Sequence, residues 1–168
     1  HKIVIISSVE PHYFAGYTGG RKSFLPGIAS YKTIEQNHKL ALKREACAIK
    51  LKGNPVHEDM IDALGTVKKE IFTINTVLDK NHRIYAATAG DIYLSMDEAV
   101  AKANEVFVAK IPRKADIVVS VAKFPSDIDL YQAQKAIDNA KYALEEGGIL
   151  ILVAKCRSGV GDESFVNL

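Results

Sequence analysis

Cysteine is scarce in this chain of 168 residues, and its two thiols, Cys47 and Cys156, have no CxxC neighbour. A disulfide framework or a zinc knuckle needs more thiols, or closer ones, so neither is indicated. Two isolated cysteines are expected to be packed and reduced, as in a cytoplasmic protein. Net charge is lacking too, since 22 Lys and Arg against 20 Asp and Glu leave +2. That balance gives no nucleic-acid footprint, and the basic run from Lys39 to Lys52 reads as a solvated helix face. No apolar run approaches the roughly 20 residues of a membrane span. Internal repeats and low-complexity tracts are missing as well. What remains is ordinarily globular, 48% hydrophobic and 25% charged, enough for one domain with a sizeable core or for parts of two.

Hydrophobic periodicity predicts an α/β fold of open, Rossmann-like sheets with flanking helices. Ile3 to Ser8 is a continuous apolar run, suited to a central strand buried on both faces. Ser30 is placed to cap a helix over about Tyr31 to Ala48, and Asn54-Pro55 marks a turn before a short helix from His57 to Leu64, with His57 at its solvent end. Glu70 to Leu78 and Arg83 to Ala89 are rich in β-branched and aromatic residues and read as a hairpin, followed by a helix over about Ser95 to Asn104. From Val106 the pattern is a strand, a break at Pro112, a strand Asp116 to Val121, a helix Asp129 to Glu145 ended by Gly147-Gly148, and a strand Ile149 to Ala154. A domain boundary is expected near residue 110, dividing 1–110 from 111–168. The abrupt strand-like start after His1, and the helix-start residues between Ser158 and Leu168, are those expected of a piece of a longer polypeptide.

Chemistry concentrates in EPHYFAGYTGGRKSFLPGIASYKTIEQNH, Glu10 to His38. Within it GYTGGRK supplies Gly16, Gly19 and Gly20, which let backbone approach a ligand, beside Arg21 and Lys22, two cations able to face an anionic group. His12 and His38 flank this cradle. A tight crossover with no ligand is the bland alternative. A P-loop-like nucleotide- or phosphate-binding module is another, because Gly16 to Ser23 is one residue from G-x-x-x-x-G-K-[ST]. Arg21 stands where that loop needs glycine, and Pro26-Gly27 interrupts the helix that should follow. A zinc-dependent hydrolase using His12, His38 and His57 is a third, although these spacings match no compact metal motif. Farther on, Gln132 and Lys135 share a face near a helix start, where unpaired N–H groups and a cation favour a carboxylate.

The segments EPHYFAGYTGGRKSFLPGI and TIEQNH resemble the signature region of the nickel-dependent lactate racemase family. The resemblance implies that Lys22 carries a covalently attached pyridinium mononucleotide (pyridinium-3-thioamide-5-thiocarboxylic acid mononucleotide) whose carbon and two sulfurs hold nickel as a pincer. It makes His38 the protein's nickel ligand, His12 one of two catalytic acid/base groups, Gly19 and Gly20 part of the cofactor cradle, and Gln132 and Lys135 substrate contacts in a Q-x-x-K pair. The implied activity is racemisation or epimerisation of a small 2-hydroxy acid by hydride transfer. Residues 1–110 become the second half of the cofactor-binding domain and 111–168 the start of the C-terminal domain. The second catalytic histidine, with an arginine and an aspartate, is expected from a segment preceding this chain. The partner is then the remainder of the same polypeptide, without which this piece is expected to be inactive, and neither nucleic acid nor a membrane is called for.

Overall fold

The continuous apolar run after His1 forms β1 (Ile3–Ser8), and the predicted hairpin forms β4 (Ile71–Leu78) and β5 (Ile84–Gly90). Between them the chain makes two short paired strands, β2 (Pro11–His12) and β3 (Gly16–Tyr17), and two helices, α1 (Tyr31–Lys39) and α2 (Pro55–Gly65). α3 (Leu94–Phe107) follows β5. In this computed structural model residues 1–161 are described. They are divided between two units, His1–Val108 and Ala109 onward.

In the first unit β1 runs parallel to β4, from Ile3 opposite Ile71 to Ser8 opposite Thr76, and β5 returns antiparallel. The order β1-β4-β5 puts β4 in the centre and β1 at an edge. The expectation of a central β1 buried on both faces is therefore corrected. Val4 and Ile6 are 62% and 74% exposed, whereas Ile5 is buried and Ile3 packs partly against the same cluster. Thr73, Asn75 and Val77 alternate inward on β4 beneath α3, whose Ala99 and Ala103 allow close approach of helix to sheet.

The loop leaving β1 is itself core. Val9 and Tyr17 join Val77, Met96, Ala99 and Ala103 in one cluster, and Phe14, Ala15 and Leu25 join Val56 and Met60 of α2 in another. Phe24 packs with Ile5, Leu64 and Ile92 in a third. A segment with almost no regular structure is thus anchored apolar residue by apolar residue. A polar chain ties it to the sheet: Gly20 N donates to Ser7 Oγ (3.0 Å), Ser7 Oγ to Asn75 Oδ1 (2.9 Å), and Asn75 Nδ2 to Ser95 Oγ (3.2 Å).

Several boundaries differ from expectation. α1 is capped by Ser30, whose Oγ accepts from Thr33 N at 3.3 Å, but it stops at Lys39 and passes into a single tight turn, Leu40–Leu42. The polar stretch beyond has no stripe to bury. It bends back instead, so that Ile49, at φ 68°, donates its N–H to Gly16 O (3.0 Å). α3 runs on to Phe107 where a strand from Val106 was expected, because Ala103 still packs inward one turn earlier.

In the second unit β6 (Ala115–Val121) pairs in parallel with β7 (Leu144–Val153). The expected helix from Asp129 to Glu145 is α4 (Leu130–Ala133) and α5 (Lys135–Ala140), with a tightened turn at Gln134, and the chain is already strand by Leu144. Gly147 and Gly148 do not end a helix. They lie in an irregular stretch of β7 where the register skips between Ala115 and Ile117, and Gly147 takes φ 78°. Ser120 Oγ donates to Ala136 O (3.0 Å), fixing α5 on one face of the pair. The helix start expected at Asp162 to Val166 lies outside the described residues. Among the described residues no helix is long and apolar enough to cross a membrane.

Candidate active site

The aromatic ring of Phe14, buried against α2, gathers three of the candidate groups. The His12 ring meets it edge-on at 4.5 Å between centroids, the His38 ring does so at 5.1 Å, and Lys22 Nζ stands 5.9 Å from its centroid. Phe14 was not singled out in the sequence, where an aromatic beside a histidine carries no distinctive signal.

Each group is held differently. His38 is half-buried on α1, and its Nδ1 lies 2.8 Å from Ile34 O, one turn back on the same helix. A carbonyl only accepts, so Nδ1 carries the proton and Nε2 is left with its lone pair, the form a metal requires. His12 shows the opposite arrangement: Nδ1 accepts from Ala15 N at 3.2 Å, which places the proton of the neutral ring on Nε2. Lys22 lies in the single 3₁₀ turn Gly20–Ser23. Burial, and then the charge of Arg21, lower its pKa from 10.5 to about 8, so roughly a tenth of the amine is uncharged at pH 7, far more than for an ordinary lysine.

Arg21 does not face solvent with Lys22. It is 2% exposed, and its guanidinium donates to Ala15 O (2.8 Å) and Tyr17 O (2.9 Å), with longer contacts to Thr18 O and Gly19 O (both 3.4 Å). A cation at that position reads identically in sequence whether it turns inward or outward. The glycines likewise serve the protein's own packing. At Gly19, φ 87°, a Cβ would come within 2.5 Å of Val9 Cγ2, and at Gly16 it would run into Lys50 O. Gly20, φ 46°, meets nothing closer than Met96 Sδ at 3.6 Å.

Asn54 completes the frame. Fully buried, it caps α2 by accepting from Val56 N (3.0 Å) and His57 N (3.3 Å), while Nδ2 donates to Phe14 O (2.9 Å), Lys50 O (3.0 Å) and Cys47 O (3.3 Å). The Asn-Pro pair that marked a turn also carried a signal of this role, since Asn at a cap before Pro at the first helical position is a helix start. Asn37, beside His38, is fully buried as well and donates to Val56 O (3.1 Å) and Asp59 Oδ2 (2.8 Å), locking α1 to α2.

The other candidates stand elsewhere. His57 is not at a solvent end: it lines a cavity with Arg21, its Nδ1 is buried, and burial followed by the Arg21 charge brings its pKa down to about 4. Among the described residues no three His, Cys, Asp or Glu side chains are grouped to hold a metal, so the hydrolase alternative finds no ligand set. The P-loop alternative finds no helix, because the turn at Lys22 is four residues long and leads into Pro26. In the second unit Asp129 caps α4 by accepting from Gln132 N (2.7 Å), and Lys135 Nζ donates to Gln132 Oε1 at 2.7 Å. Gln132 and Lys135 therefore sit together on one exposed face, Lys135 also lying 5.9 Å from the Tyr131 ring centroid.

A mixed α/β domain that gathers a half-buried lysine and two histidines of opposite tautomer around one ring defines a class: a lysine- and histidine-centred site on the loop that leaves a sheet strand. Residues 1–49 match the model of the lactate racemase N-terminal domain, and residues 108–168 match that of the lactate racemase C-terminal domain. The chain belongs to the lactate racemase family. It is 41% identical over 164 residues to the lactate racemase of Lactiplantibacillus plantarum and 39% identical to that of Thermoanaerobacterium thermosaccharolyticum. Each alignment covers 94% of this chain and 37% of the relative, so the chain spans little more than a third of their length. Among solved structures, the lactate racemase apoprotein of T. thermosaccharolyticum superposes with a TM-score of 0.88 at 35% identity, covering 97% of this chain and 39% of that one. A Thermotoga maritima protein, at 22% identity and a TM-score of 0.65, shares the fold.

Proposed function

We propose that this chain is part of a nickel-dependent racemase or epimerase of 2-hydroxy acids, lactate or a close relative, in which Lys22 is the attachment point of a nickel-pincer pyridinium mononucleotide. The observation that carries this reading is the convergence of Lys22, His38 and His12 on the Phe14 ring. Residues 1–110 supply the second half of the cofactor-binding domain and 111–168 the start of the C-terminal domain.

The residues fit the group. An amine with a pKa of about 8 is nucleophilic enough near neutrality to be acylated. His38 offers Nε2, with its tautomer fixed by Ile34 O. A metal at a single protein histidine needs donors from its ligand, and imidazole with soft sulfur suits nickel. When bound, the group supplies the electrophile that accepts hydride from the substrate carbon. That chemistry is needed because the Cα hydrogen of a 2-hydroxy acid is hardly acidic, so a base alone cannot remove it. His12 exchanges a proton at Nε2 with the substrate hydroxyl. With Nδ1 accepting from Ala15 N, the neutral ring can donate a hydrogen bond from Nε2 to the substrate oxygen; to take the hydroxyl proton there it must first release Ala15 N and carry its own proton on Nδ1, and the imidazolium so formed returns the proton in the reverse direction. A second base, from outside this chain, serves the opposite face. Lys135 pairs with the substrate carboxylate and Gln132 with a polar oxygen, their mutual hydrogen bond being exchanged for bonds to substrate.

The test is an intact mass of the full-length polypeptide co-expressed with the enzymes that make the cofactor. A mass gain on the peptide containing Lys22, absent in Lys22→Ala together with racemisation, is expected. Racemisation and bound cofactor persisting in Lys22→Ala would sink the assignment.

A further inference from the structure

The two faces of the first unit's sheet are unequal. Ile5, Thr73, Asn75, Val77 and Thr88 point to one side, where α2, α3 and the loop from β1 lie over them. On the other side the register sets Val4 opposite Phe72 and Ile6 opposite Ile74, with Ala89 opposite Ile74 on the far strand. Val4, Ile6 and Phe72 are 62%, 74% and 46% exposed, and Ala87 and Ala89 lie exposed beyond them. None of these side chains belongs to a hydrophobic cluster among the described residues.

That distribution is the reverse of a sheet with one wet face, which keeps apolar residues under its helices and polar ones towards water. Here the covered face holds Thr73, Asn75 and Thr88, while Val4, Ile6, Phe72, Ile74, Ala87 and Ala89 make the bare one. β1 and β4 are also parallel, and parallel strands are usually covered on both faces. A contiguous apolar patch across three strands marks a surface that something covers. The polypeptide has the length to supply the cover, because the matched stretch is only 37% of each curated relative. Residues 1–49 match the N-terminal domain model and residues 108–168 the C-terminal one, so a layer missing from the first unit belongs before residue 1.

We infer that the bare face of β1 and β4 is the docking surface for an amphipathic helix of the same polypeptide, drawn from the part of the N-terminal domain that precedes residue 1. A helix that follows a parallel strand runs back antiparallel to it, so it starts at the C-terminal end of the strands. On β1 that end is Ser8, from which the loop bearing His12 and Lys22 departs. The helix therefore brings the loop that leads into it to the same edge of the sheet. This packing stands independently of the assignment of Lys22.

The experiment uses the full-length polypeptide with p-benzoylphenylalanine in place of Phe72, one aromatic ring for another, and in a second variant in place of Ile6. Irradiation followed by peptide mass spectrometry reads which peptide each benzophenone has joined. Adducts from both positions to one peptide preceding residue 1, within a single polypeptide, are expected. Adducts to residues 109–168, to a peptide beyond residue 168 or to a second copy would overturn the proposal, as would benzophenone recovered unjoined in both variants. Ile6→Lys gives an independent reading. Beneath a docked helix the buried ammonium should lower the thermal midpoint of the full-length protein by about 5 °C or more. A midpoint that moves no further than for a surface substitution would show the face to be bare in the whole protein and overturn the proposal as well.

Discussion

The two groups of candidate residues are held in contrasting ways. In the first unit His12, Lys22 and His38 surround a buried ring whose backbone is pinned by Asn54 and whose loop is clamped by Arg21, both side chains almost wholly out of solvent. In the second unit Gln132 and Lys135 hold each other on an exposed surface, on a helix broken into two short pieces. The first arrangement is preorganised, its entropy already spent in folding; the second keeps rotamer freedom until something binds. The candidates of the first unit are therefore fixed before anything binds, while the pair in the second can still adjust.

The largest expected break in that contrast is chemical. In the full-length, cofactor-loaded polypeptide His12→Ala should keep adduct and nickel yet lose turnover by about 10²-fold or more, the scale of a general acid/base. His38→Ala should keep the adduct and lose nickel by metal analysis. Equal nickel in His38→Ala and wild type would falsify the ligand role. Next comes the frame: Asn54→Ala removes a helix cap and leaves the carbonyls of Phe14, Lys50 and Cys47 without that donor, which should lower stability by on the order of 3 kcal/mol in denaturant unfolding. A loss no larger than that of a surface substitution would show that the loop holds itself.

Smaller still is the effect on the exposed side. Lys135→Ala should raise KM by an amount equivalent to about 1.5 to 3 kcal/mol, if a charge-assisted bond to the substrate is lost, while the unfolding midpoint hardly moves. Gln132→Ala should cost less. Unchanged KM in both variants would remove the second unit's helix from substrate binding. A separate effect concerns acid. His57 has a pKa of about 4 in the folded chain against 6.5 unfolded, so between those values the unfolded chain takes a proton that the folded one refuses. Stability should therefore fall as pH drops from 6.5 towards 4, be unaffected by this group above 6.5, and decline less steeply in His57→Gln. Parallel pH profiles of the two proteins would show that His57 is not the group responsible.

Much of this was legible in the chain. The β1 run, the hairpin, the Ser30 cap and the cluster of His12, Lys22 and His38 all follow from local chemistry, because turn residues, alternation and a dense motif act over a few positions. What escaped is set by partners distant in sequence. Val4 and Ile6 read as buried because apolar runs usually are, yet their strand is an edge among the described residues. Gly147 and Gly148 read as a helix stop, but pairing with β6 claimed Leu144 for the strand first. The inward turn of Arg21 depends on carbonyls that only the folded loop assembles, and Phe14 becomes a hub only when α1 brings His38 back to it.

The bond from His38 Nδ1 to Ile34 O has a mechanical consequence. Donor and acceptor ride on one helix, so the ring's heading is set within a single turn and borrows nothing from another element. α1 acts as a rigid lever with the imidazole as its tip. Asn37, one residue earlier, is the fulcrum, fastened to α2 through Val56 O and Asp59. Any displacement of α2 is carried to Nε2 as a rotation of the whole lever rather than absorbed by a swinging side chain.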